Sequence, residues 1–82
     1  MAYLVACYVG ETEREKRPVG FTSRAKALRY LHEVAADARS DGFTVLGDPL
    51  DGTISIHHGP WSETYVLSKT SDESHLRKAV YR

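Results

Sequence analysis

Four histidines, a single cysteine and a cluster of six basic side chains are the residues of this 82-residue chain whose types invite chemistry. His57 and His58 are adjacent, and in an extended segment neighbouring side chains point to opposite faces, so they cannot share a tetrahedral metal. His32 and His75 fall in separate helical patterns and Cys7 in an apolar run, so the spacing predicts no metal site. Cys7 lies within AYLVACYV, the setting of a buried, inert thiol rather than a nucleophile. No Gly-x-Ser-x-Gly elbow is present, and the dispersed acidic residues form no pair that the sequence places at glycosidase spacing. The expectation is a chain with no catalytic residue and no cofactor.

The basic cluster consists of Arg14, Lys16, Arg17, Arg24, Lys26 and Arg29, with only Glu15 opposing it between positions 14 and 29. Three of the six lie in the first half of a predicted helix, whose opening amides also favour anions. A weak anion site is the functional reading of this cluster. Glu11 and Glu13 stand just upstream, and 11 basic residues balance 11 acidic ones, so no long-range pull toward nucleic acid is built into the whole chain. There is no Walker glycine loop and no RRM, KH or OB signature. From Ser40 to Ser68 the sign reverses: Lys and Arg are absent, while Asp41, Asp48, Asp51 and Glu63 are present.

The elements that must position these residues follow from periodicity. Residues 2–9 are apolar at nearly every position and are closed by Gly10, which predicts an interior strand buried on both faces. Residues 11–17 hold six charged side chains in seven, and Pro18-Val19-Gly20 follows, which predicts a solvated loop or hairpin tip. Leu28, Leu31, Ala35 and Ala38 recur at helical spacing between Ser23 and Ser40, with Thr22 or Ser23 as N-cap and Gly42 at the C-terminal end. Three short strands are expected over 43–46, 53–57 and 61–68. A turn at Gly59-Pro60 sets Ile54 opposite Tyr65, Ile56 opposite Glu63 and His58 opposite Trp61. Thr70-Ser71-Asp72-Glu73 reads as a capping box that opens a short C-terminal helix carrying Leu76 and Val80.

The expected fold is therefore a single α+β domain over 1–82, in the order β-α-β-β-β-α. It consists of a small antiparallel sheet with one long amphipathic helix on one face and a short C-terminal helix. Strand, charged loop, helix and three-strand meander in this order resemble, in outline, small phage-encoded inhibitors such as certain anti-CRISPR proteins. Hydrophobic residues at 41% and charged residues at 27% match ordinary globular usage. One cysteine permits no internal disulfide, and the apolar run at 3–9 is too short for a membrane span, so cytoplasm is the expected compartment and no membrane is expected as a partner. Because residues 2–9 carry apolar side chains on both faces, Leu4, Tyr8 and Trp61 are candidate partner-binding residues, for a protein partner or a second copy. Three roles follow in order: a protein-binding module or regulator, a nucleic-acid-binding accessory protein using residues 14–29, and a small enzyme or enzyme subunit.

Overall fold

In chain order the elements are β1 (Ala2–Val9), β2 (Thr12–Glu13), β3 (Val19–Phe21), α1 (Arg24–Ser40), β4 (Thr44–Leu46), a 3-10 turn (Pro49–Asp51), β5 (Thr53–His58), β6 (Trp61–Thr70) and β7 (Val80–Tyr81). The structure is a computed structural model and describes residues 2–9, 12–13, 19–70 and 80–81. The strands form one sheet in the order β4-β5-β6-β1-β3-β7, with β2 paired to the end of β1. The five strands from β4 to β3 are antiparallel to their neighbours, and β7 runs parallel to β3. The α+β class, the single covering helix and the interior place of the first strand all match the sequence reading.

β1 is interior to the sheet, flanked on both edges. β6 pairs with it along its whole length, from Ala2↔Thr70 to Val9↔Glu63. β3 pairs with its first half and β2 with its end. Tyr3 and Val5 face α1, where Val5, Phe21, Ala27, Leu31, Ala35 and Ile54 form the core. Leu31 and Ile54 are the largest fully buried side chains, each worth about 1.5–3 kcal/mol of transfer free energy. Phe21 meets Tyr30 of the helix with ring centroids 5.3 Å apart, in a tilted pair.

Both ends of α1 are made by the residues that the sequence marks. Ser23 is extended, and its Oγ accepts from the Lys26 amide at 3.2 Å. At the other end the Phe43 amide donates to the Ala38 carbonyl and the Gly42 amide to the Arg39 carbonyl, both at 3.0 Å. This is the double bond of a Schellman termination, with Gly42 at φ +86° in the left-handed region. The β5–β6 register is also as expected, with Ile54↔Tyr65, Ile56↔Glu63 and His58↔Trp61.

Three expectations are corrected. Val19 and Gly20, read as loop punctuation with Pro18, belong with Phe21 to strand β3, because the β1 edge would otherwise lack a partner at Tyr3–Val5. The expected C-terminal helix falls mostly outside the described residues; Val80, expected on its apolar face, instead pairs with β3 in β7 (Val80–Tyr81). Cys7 is half-buried rather than fully enclosed, opposite Tyr65 in the β1–β6 register.

Candidate functional site: a cationic groove beside the edge strand

The partner surface expected from β1 is not a single patch. Leu4 is only 4% exposed, seated between Gly20 and Ser68 on the face away from α1, so it offers nothing to a partner. Tyr8 is half-buried and pairs with Thr64. Position 61 is three residues from Thr64 on the same strand, and strand alternation therefore puts positions 8 and 61 on opposite faces. The three candidates do not converge.

The basic cluster is divided as well. Arg14, Lys16 and Arg17 lie outside the described residues. Arg24, Lys26 and Arg29 are exposed on α1; Lys26 and Arg29, three residues apart, share a face, and Arg24 lies on another. Lys26 and Arg29 border a shallow hollow with Phe21, Tyr30 and Glu33 on the β3 side of the helix, and Arg29 also lines the groove on the other flank. Arg24 reaches the other way, its guanidinium donating to the Leu50 carbonyl at 3.5 Å.

That second flank carries a groove of about 840 Å³ between α1 and the segment that follows β4. Ala25, Leu28, Pro49 and Leu50 supply its apolar lining, and Arg29, His32 and Arg39 its polar rim. The loop wall is built by local turn chemistry. Asp48 caps the 3-10 turn, its Oδ1 accepting from the Leu50 amide at 2.9 Å. Gly47 holds φ +90°, and a Cβ there would stand 2.7 Å from the Thr53 carbonyl oxygen, so only glycine lets the chain double back this closely.

Toward its C-terminal end the opposite flank of α1 carries acidic side chains. Asp37 and Asp41 border a smaller hollow with Phe43, Ile56, Glu63 and Tyr65. The helix thus separates a cationic groove on the β4 side from an acidic hollow on the other. Arg39 has no place in the sequence reading, and His32 enters it only as a metal candidate. The signal was there: Ala25, Leu28, His32 and Arg39 follow helical spacing, but the groove exists only once Gly47–Leu50 folds against them.

No side chain lining the groove is a hydroxyl, thiol or amine nucleophile. Its charged groups are guanidiniums and one carboxylate already engaged by a backbone amide, a set suited to holding an anion. Among the described residues no three His, Cys, Asp or Glu side chains come together as a metal site, and no helix is long and apolar enough to cross a membrane.

Fold and groove together define a small α+β domain with one open, cation-rimmed cleft. Comparison with protein-family models, with curated proteins and with solved structures returns no match.

Proposed function

We propose that this chain is a non-enzymatic protein-binding module, acting as a regulator or inhibitor of a larger assembly, and that its working surface is the groove beside α1 rather than the β1 patch. The observation that carries this reading is the pairing of an apolar lining, Leu28, Pro49 and Leu50, with Arg24, Arg29 and Arg39 around it. A purely electrostatic nucleic-acid surface gains little from such a lining, whereas a peptide with an aliphatic anchor and flanking carboxylates uses both parts.

The test is selection of random twelve-residue peptides on immobilised wild-type protein, with Arg29→Glu/Arg39→Glu as the comparison. Both arginines are exposed, so the variant is expected to stay folded while losing about tenfold or more in affinity for the selected peptides. Peptides that bind both proteins equally would overturn the reading. Tight duplex DNA binding at physiological salt, lost in the same variant, would move the role to nucleic acid.

A further inference from the structure

The groove adjoins the edge strand β4, and that edge carries no charged or proline guard. β4 ends the strand order, so among the described residues no strand pairs its outer side. Natural sheets blunt such edges by keeping them short or with lysine, proline or a bulge, because unpaired backbone groups template the addition of another strand. β4, Thr-Val-Leu, is short, at three residues, but holds no lysine or proline. The exposed large hydrophobics of the described residues are Phe43 at 40%, Leu46 at 54% and Leu50 at 69%, all on β4 or its immediate flanks.

We propose that the groove's occupant is an acidic, hydrophobic segment of a partner protein that binds in extended form as an added strand antiparallel or parallel to β4. This rests on the groove reading and adds to it the mode of binding and the chemistry of the ligand. A new strand lies about 4.8 Å outside its neighbour, and its alternate side chains point to the two faces of the sheet. On the α1 side those side chains meet the groove, where Leu28 and Leu50 accept an aliphatic anchor and Arg29 and Arg39 take flanking carboxylates. On the other side they run beside Leu46, whose partner Ser55 places it on the face away from Ile56 and the helix.

Charge decides between this occupant and a second copy of the chain. Two copies joined antiparallel through β4 would be related by a two-fold axis normal to the sheet, with both helices on one face. The flank of α1 nearest β4 in each copy would then face its counterpart, setting Arg29 and Arg39 against the same arginines. An acidic strand meets the arginine rim favourably where its carboxylates lie toward α1 and away from Asp48.

The experiment is amide NMR of the full chain with an acetylated heptapeptide, Thr-Asp-Val-Leu-Thr-Glu-Val, whose Asp, Leu and Glu share one face of a strand, a lysine-for-acid counterpart, and two versions N-methylated on alternate residues. Strand addition predicts shifted and exchange-protected amides in Thr44–Leu46 together with shifts at Leu28 and Arg29. One N-methylation register should weaken binding about tenfold or more and the other should have little effect, because only alternate amides face the edge. If neither register matters while the α1 flank still shifts, strand addition is wrong and the groove reading survives. Absence of saturable binding by the acidic peptide, or equal binding of the basic one, sinks both. A homodimer in sedimentation equilibrium that Leu46→Lys abolishes would identify a second copy as the occupant instead.

Discussion

The Tyr65 hydroxyl donates to Glu63 Oε2 at 3.3 Å, joining two side chains that stand two residues apart on the α1 side of β6. The pair explains how a carboxylate sits on a face otherwise given to Ile54, Ile56 and Tyr65. Burial raises the Tyr65 pKa well above its ordinary 10.0, and the nearby Cys7 and Glu63 groups push in the same direction.

Because folding raises this pKa, the folded chain holds the protonated phenol more tightly than the unfolded chain does. The contribution is complete below the ordinary value of 10.0 and is lost as pH rises beyond it toward the folded value. Urea denaturation is expected to show stability falling above pH 10, and Tyr65→Phe is expected to flatten that fall. An unchanged slope in the variant would show that other groups cause it.

Leu31→Ala should destabilise the fold by about 2–5 kcal/mol, since it empties the centre of the helix–sheet core. Lys26→Ala, on the exposed side of the same helix, should stay within about 0.5 kcal/mol of wild type. Chemical denaturation midpoints of the two variants separate the cases, and equal midpoints would mean that α1 packs by another face.

Two glycines with similar dihedrals should differ in cost. A Cβ at Gly42 meets nothing within 4 Å, so Gly42→Ala carries only the left-handed penalty, about 1–2 kcal/mol. At Gly47 the same Cβ meets backbone at 2.7 Å and forces the β4–β5 connection apart. Gly47→Ala should therefore lower the thermal midpoint by more, and should also weaken selected groove peptides while Gly42→Ala does not.

Leu50→Asp should leave the thermal midpoint within a degree or two, because Leu50 is 69% exposed and surface changes of this kind usually stay within about 0.5 kcal/mol. Binding of selected acidic peptides should nonetheless drop, since the change removes lining and adds a repelling charge. Retained binding would place the anchor elsewhere.

The elements legible in the sequence were those set by local rules. Ser23, Gly42 and the Leu28–Ala38 stripe mark α1, and Gly59-Pro60 sets the β5–β6 register. β3 and β7 were missed because two or three residues carry no period, and their strand character comes from the edges of β1 and β3. The candidate site was legible only in part. Arg24 and Arg29 were in view as a charge cluster, but the groove requires Gly47 to turn the chain and Asp48 to cap it before Leu50 reaches the helix. Leu4 was placed on a surface because alternation identifies a face without saying whether that face is covered.

The pairing of Ala2 with Thr70 also dictates an order of events. During synthesis β1 leaves the ribosome well before β6, the strand that covers one whole side of it, has been made. Helix α1 and the β5–β6 hairpin close over short loops and can form early, while β1 needs a long-range closure that costs more chain entropy. The most apolar segment of the chain is thus exposed longest to other nascent chains. Pairing of β1 with β6 is therefore the expected slow step in forming this protein.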